Sequence, residues 1–149
     1  MIYIAEGLNK IGKTTFIKKA SEKFNIQIVD FKRPDNREEA KAISYFLLQM
    51  CKQVRNFPSI IIDRGFPSEI VYNENVDIRY YKNIDLELSM YATIWYLEIP
   101  KDILLQRWSE FSINYDMDFQ KLKYESFLKS TKLRVVRINP FEEINENIL

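Results

Sequence analysis

The chain has 149 residues, 46% of them hydrophobic and 29% charged, and a formal net charge of +1. This balance suits one globular domain with a real core and supplies no bulk field for nucleic acid or membrane surfaces. With no histidine and a single cysteine, Cys51, it excludes His-based catalysis, His metal sites, internal disulfides and cysteine metal clusters.

Ile2-Tyr3-Ile4-Ala5 is a short apolar run, read as the first strand. A helix is predicted over 14–24, with Phe16, Ile17, Ala20 and Phe24 on one face and Asn25 at its end. A second strand covers 26–31, and Lys32-Arg33-Pro34-Asp35-Asn36 is a polar turn in which proline bars helix at Arg33. The longest helix spans 37–55, with Ala40, Ile43, Leu47, Met50 and Val54 as its apolar stripe and Cys51 expected to be buried. Phe57-Pro58 stops it. Residues 59–63 form a third strand, apolar on both faces, as suits a central parallel strand covered by helices. Gly65 is expected to provide a sharp turn, and Pro67 to open a short helix over 68–72.

Residues 73–83 read as loop with broken helix, and 85–91 as helical. A fourth strand covers 93–99 and is closed by Pro100. A helix over 102–110, a loop over 111–116 and a helix over 118–130, capped by Asp116 or Asp118, follow. Residues 133–138 make the fifth strand, and Asn139-Pro140 is expected to lead into a last short helix in which Glu142 and Glu143 suit the N-terminal dipole. Strands alternating with helices along 1–149 imply a single α/β domain with a mostly parallel sheet. Right-handed crossovers bring the carboxyl ends of the strands to one edge, where ligands bind. No apolar run reaches the roughly 18 residues of a membrane span. Met1 leads straight into a strand with no room for a signal peptide, and a reducing cytoplasm is the expected location.

Gly7, Gly12, Lys13 and Thr14 fit G-x-x-x-x-G-K-[ST] between a strand and a helix. Glycines let the backbone N–H groups approach polyphosphate oxygens, and the helix N-terminus adds unpaired N–H groups. Lys13 is the expected charge on the β- and γ-phosphates of ATP, and Thr14 the expected hydroxyl ligand of Mg²⁺. Asn9, Lys10, Ile11 and Thr15 complete the nucleotide-binding stretch. Asp63, at the end of a buried strand, is the second candidate metal ligand, and Arg64 beside it is a candidate bridge between donor and acceptor phosphates.

With these two segments the sequence resembles the thymidylate kinase-like family of P-loop nucleotide kinases, which includes the deoxynucleoside kinases. The stretch from Glu6 to Thr15 resembles the family's E-G-x-D-x-x-G-K-[ST]-T opening, and Asp63-Arg64-Gly65-Phe66-Pro67-Ser68-Glu69-Ile70-Val71-Tyr72 resembles its D-R-x-x-x-S-x-x-[AV]-Y segment. The resemblance implies a three-layer P-loop kinase fold, a five-stranded parallel sheet flanked by helices, and a short lid. It implies transfer of the γ-phosphoryl group of ATP, with Arg64 on the acceptor side and Arg107 at the lid entrance stabilising charge on the moving group. The chain departs from the family at Asn9, where an aspartate often contacts the sugar, and at Lys32-Arg33-Pro34, which lacks the carboxylate before proline. It also departs at Ser109-Glu110-Phe111, which lacks a second lid arginine, with Lys121 or Lys123 as substitutes.

A 5′-hydroxyl acceptor needs a nearby carboxylate as base, whereas an acceptor that already carries phosphate needs positioning and charge neutralisation. Lys32 and Arg33 favour the second, so a nucleoside monophosphate is the expected acceptor, thymidylate first. Asp30 or Asp35 keeps a nucleoside open. Phe46 and Tyr72, with Phe66, are candidates to stack on a base. Other readings are a nucleotide-dependent switch without turnover, for which no N-K-x-D guanine reader is present, and a kinase of polynucleotide ends or small alcohols. The expected partners are small-molecule substrates, with no stable nucleic acid and no membrane, and apolar helix faces admit a homodimer.

Overall fold

Side-chain alternation along the first strand, β1 (Ile2–Gly7), sorts the molecule into layers. All six residues of β1 are buried. Tyr3 stacks on Trp95 of the fourth strand at 4.4 Å between ring centroids, and Phe16 of the first helix meets the same indole edge-on at 5.7 Å. Ile2 and Ile4 point to the opposite face, where they line a cleft. Glu6 follows in the same phase and is fully buried. A strand hidden on both faces is central and parallel.

The computed structural model describes residues 1–110 and 117–149, and the side chains of 108–110 lie outside that description. The remaining elements are α1 (Lys13–Phe24), β2 (Gln27–Val29), α2 (Arg37–Gln53), β3 (Ile60–Asp63), α3 (Phe66–Tyr72), α4 (Ile78–Leu88), β4 (Ala92–Leu97), α5 (Lys101–Glu110), α6 (Met117–Ser130) and β5 (Arg134–Ile138). The five strands form one sheet in the order β2-β3-β1-β4-β5. Every pairing is parallel. Register sets Asp63 opposite Ala5 and Leu97 opposite Gly7, so the carboxyl ends of β1, β3 and β4 share an edge. The expected α/β architecture with a five-stranded parallel sheet is the observed one.

Several local expectations are corrected. The second strand is only three residues long: its ladder with β3 runs from Gln27 to Val29, and Ile26, Asp30 and Phe31 lie outside it. The segment 73–83 is not mostly loop: α4 begins at Ile78, where the Asp77 carboxylate caps it by accepting from the Tyr80 N–H. No helix begins at Pro140. The Asn139 side chain accepts from the Phe141 N–H and closes a turn, and a short 3₁₀ turn, Glu146–Ile148, comes later. Gly65 is extended at φ −148, and the left-handed residue of that corner is Arg64, at φ 65. Cys51 is half-buried, and burial raises its thiol pKa. Asp118 lies in the first turn of α6 and pairs with Lys101, while Asp116, the loop over 111–116 and the lid positions Ser109, Glu110 and Phe111 fall outside the described residues or side chains. Among the described residues no helix is long and apolar enough to cross a membrane.

One glycine is demanded by the sheet itself. Gly7 has φ 151, and a Cβ there would lie 2.7 Å from the backbone carbonyl oxygen of Leu97. A Gly7→Ala variant should therefore lose about 3 kcal/mol of stability through backbone strain and overpacking, read as a lower urea midpoint. An unchanged midpoint would show that the β1–β4 edge yields freely.

Candidate active site

The turn between β1 and α1 is built from left-handed backbone. Lys10 has φ 63 and Gly12 has φ 91. Gly12 is the N-cap of α1 and supplies no side-chain cap. The first N–H groups of the helix, with the positive end of its dipole, are thus offered to an anion. The Ile11 side chain is 1% exposed and anchors the loop in the core, so only its backbone is available to a ligand. Lys10, Thr14 and Thr15 are exposed. Lys13, on the first turn of α1, forms an ion pair with Asp63 at the end of β3. Arg107 reaches the loop from α5: its Nε–H donates to the Lys10 carbonyl at 2.7 Å. Its guanidinium lies 5.3 Å from the Phe141 ring centroid, and that ring also packs against Gly12.

The second half of the site is a buried polar network absent from the sequence reading. Glu6 accepts from the Gly65 N–H at 2.9 Å, the Ser68 hydroxyl at 2.7 Å and the Tyr124 hydroxyl at 2.9 Å. The Arg64 guanidinium stands 3.7 Å away. Arg64 donates to Tyr124 at 3.0 Å, to Ser68 at 3.3 Å, and through its other terminal nitrogen to Asn9 Oδ1 at 2.9 Å. Its plane lies 5.2 Å from the Tyr72 ring centroid. A non-glycine residue with positive φ is uncommon, and here many bonds determine it at once, the Arg64 N–H to the Ala5 carbonyl at 3.0 Å among them. Burial raises the Glu6 pKa, and Arg64 and the three hydrogen bonds offset part of that rise. Burial also raises the Tyr124 hydroxyl well above the usual phenol value, with the Glu6 charge adding to it.

A cleft of about 730 Å³ opens between this network and α2. Lys13, Lys32, Arg33, Asp63 and Arg64 line it with Asp30, and Ile43, Leu47 and Leu88 form an apolar wall. Asn9 and Tyr72 line it as well. The structure places Phe46 elsewhere: it is 52% exposed and does not line the cleft. Phe46 sits roughly 100° around α2 from the face carrying Ala40, Ile43 and Leu47. Of the two candidate bases only Asp30 lines the cleft. Lys121 and Lys123 do not line it, and the Lys123 ammonium sits 4.6 Å from the Phe119 ring centroid. From α6 it is Gln120 that lines the cleft. Glu69 lines it too, its pKa raised by burial, and accepts from the Asn73 amide.

Asp63 and Thr14 offer one carboxylate and one hydroxyl, and among the described residues no group of three or more acidic or Cys side chains gathers. That sparse, hard-oxygen set fits Mg²⁺, which keeps several waters and takes oxygens from phosphates, and does not fit an all-protein cage.

The network yields two expectations. Tyr124→Phe should cost about 1–2 kcal/mol in urea denaturation, because Glu6 and Arg64 each lose a partner. For Glu6→Gln the pH sign is fixed. The native pKa is raised above the ordinary 4.5, so the unfolded chain releases this proton first as pH rises. Wild-type stability relative to Glu6→Gln should fall from about pH 4.5 upward until the native group has also ionised. A difference that grows with pH would contradict the burial argument.

No family model and no curated protein sequence matches the chain. Among solved structures, the YorR protein of Bacillus subtilis in complex with phosphorylated GDP is similar at TM-score 0.74 and 19% identity, over 94% of this chain and 86% of that one. A deoxyadenosine kinase from M. mycoides with dCMP and dCDP bound is similar at TM-score 0.52 and 18% identity, over 96% and 92%. Polyphosphate kinase 2 from Arthrobacter aurescens is similar at TM-score 0.62 and 17% identity, over 93% of this chain and 60% of that one. At these identities the likeness is one of fold, and the fold is that of the P-loop kinases.

Proposed function

We propose that the chain is a phosphotransferase that moves the γ-phosphoryl group of ATP to a nucleoside monophosphate, with thymidylate as the first acceptor to try. One observation carries this reading. The cleft beside the phosphate loop gathers Lys13, Lys32, Arg33 and Arg64 on the same lining. Such a set suits two phosphorylated substrates meeting end to end. The nucleotides bound to two structures of similar fold, phosphorylated GDP and dCMP with dCDP, agree with it.

In this reading the loop backbone and the α1 N-terminus hold the donor phosphates. Lys13 turns from Asp63 toward the β- and γ-oxygens as they arrive. Arg107, tied to the loop through the Lys10 carbonyl, neutralises charge on the transferring group from the donor side. Arg64, held by Tyr124, Ser68 and Asn9, grips the acceptor phosphate, with Lys32 and Arg33 at the mouth. The bond from the γ-phosphorus to the β–γ bridging oxygen breaks, a bond to an acceptor phosphate oxygen forms, and ADP leaves. That oxygen carries no proton at neutral pH, so no general base is required. Thr14 and Asp63 would hold Mg²⁺, which when bound supplies charge neutralisation on the phosphate oxygens.

Asp30 in the cleft lining favours a second reading, in which the acceptor is a nucleoside hydroxyl and Asp30 takes its proton. ADP formation from Mg-ATP with a panel of nucleosides and their monophosphates separates the two. Turnover is expected with monophosphates, falling by about 100-fold or more in Lys13→Ala. Intact turnover in that variant would overturn the phosphotransferase reading. Asp30→Asn should leave monophosphate turnover within about threefold. A loss of about 100-fold on nucleosides alone, with monophosphates ignored, would establish the hydroxyl acceptor instead.

A further inference from the structure

One side chain of the cleft has the wrong sign for a phosphate. Glu69, on α3, lines the cleft with Lys32, Arg33 and Arg64 and is half-buried there. The Arg33 charge opposes the rise that burial gives its pKa, so Arg33 stands within electrostatic reach of it. A carboxylate in that position repels an incoming phosphate and is no part of an anion grip. Its geometry is that of a held acceptor. The Asn73 amide nitrogen, four residues on, donates to Glu69 Oε2. An ionised carboxylate has about four lone-pair sites and no donor, and this bond occupies one of them. It also orients Asn73, whose nitrogen faces the carboxylate and whose amide oxygen is a further acceptor. Asn73 lines the cleft as well. Tyr72 is three residues from Glu69 and hence its neighbour on one helix face. Its ring lies 5.2 Å from the Arg64 guanidinium. The cleft lining thus runs from Arg64, past an aromatic ring, to a carboxylate.

We propose that Glu69 reads the base of the acceptor, and that this base is guanine. The inference rests on the monophosphate reading above and deepens it, moving guanylate ahead of thymidylate. A carboxylate is gripped best by two parallel donors on one planar group. Among the common bases guanine presents such a pair on one edge, its ring N1–H beside its 2-amino N–H. Thymine has a single N–H between two carbonyls, so a carboxylate that takes it sets an oxygen against a carbonyl oxygen. Cytosine and adenine each place an amino group beside a bare ring nitrogen, which repels the second carboxylate oxygen in the same way. Arg64 takes the phosphate, the base lies toward the Tyr72 ring, and Glu69 takes the two N–H groups at the far edge.

The test is equilibrium binding by titration calorimetry, which does not depend on turnover. Wild type and Glu69→Gln are titrated with guanylate, with inosinate, which lacks the 2-amino group, and with thymidylate. The two purines are used in ribo and 2′-deoxy forms, and urea denaturation is measured on both proteins. Wild type should bind guanylate about tenfold more tightly than either inosinate or thymidylate. Glu69→Gln keeps the shape but exchanges one acceptor oxygen for an NH₂ donor. It should lose about tenfold on guanylate and stay within about threefold on the other two, so that the preference for guanylate collapses. A role in stability alone would lower the urea midpoint, or all affinities together, and leave that preference intact. Should Glu69→Gln fail to fold, wild type decides, since inosinate and 1-methylguanylate must then each bind about tenfold more weakly than guanylate. Absence of a guanylate preference in wild type, or its survival in Glu69→Gln, would overturn the proposal. Guanylate-selective binding without ADP formation from Mg-ATP leaves the Glu69 assignment standing and removes the phosphotransferase reading. Turnover of another monophosphate with guanylate ignored does the reverse. If no monophosphate binds, both fall.

Discussion

The site depends on a carboxylate placed where water cannot reach it. Glu6 is fully buried within the central strand. A charge or even a neutral acid there is costly unless every lone pair is served. Serving it requires the Gly65 N–H, the Ser68 hydroxyl, the Tyr124 hydroxyl and the nearby Arg64 guanidinium. Those partners come from the β3–α3 corner, from α3 and from α6, so one side chain of β1 ties together elements far apart in sequence. It also fixes Arg64 in a left-handed conformation. The guanidinium is pre-organised before any anion arrives, which lowers the ordering cost of binding one.

The loop between β1 and α1 is built on a different principle, with the backbone rather than a side-chain network fixing its shape. Gly7 cannot carry a Cβ against Leu97, Gly12 leaves α1 without a side-chain cap, and Ile11 pins the turn from beneath. Lys13 rests on Asp63. This pair stores a cation and a carboxylate next to each other at the switch point of the sheet, where phosphates and a metal would separate them. Arg107 and Phe141 close the same loop from α5 and from the turn after β5. A rigidly held Arg64 and the Lys13–Asp63 ion pair thus line one cleft, and in the proposed function the first receives the acceptor and the second the donor.

Much of the fold was legible because its signals are local. Short apolar runs and period-3.6 apolar patterns marked all five strands and most helices, and Asn25 does end α1 in a left-handed cap. The misreadings were of cooperative features. The pattern over 73–83 is broken by polar residues, and the Asp77 cap that starts α4 early gains support from Lys41 of α2, a long-range ion pair. Gly65 looked like the flexible residue of its corner, yet the left-handed residue is Arg64; Gly65 is extended, a Cβ there would lie 3.1 Å from the Ile4 side chain, and its N–H donates to Glu6. Phe46 shared a helix with cleft residues but not their face, since the whole of α2 is rotated to bury Ala40, Ser44 and Leu47.

By itself the amino-acid order determined the phosphate loop, the strand–helix alternation and the arrival of Asp63 and Arg64 at the loop's edge. Each is a short-range spacing of residues whose chemistry needs no distant partner to be recognised. Glu6 stood in phase with Ile2 and Ile4 on an otherwise apolar strand, a signal available in the order but mute without knowing what lay opposite. Only the tertiary structure decided that Tyr124, from the far end of the chain, completes that carboxylate, and that Gln120 rather than Lys121 or Lys123 faces the cleft. The rotation of α6 about its own axis chose among those neighbours. Packing against α3 and β1 sets that rotation, and the Tyr124 bonds to Glu6 and Gly7 reach across more than a hundred residues of chain.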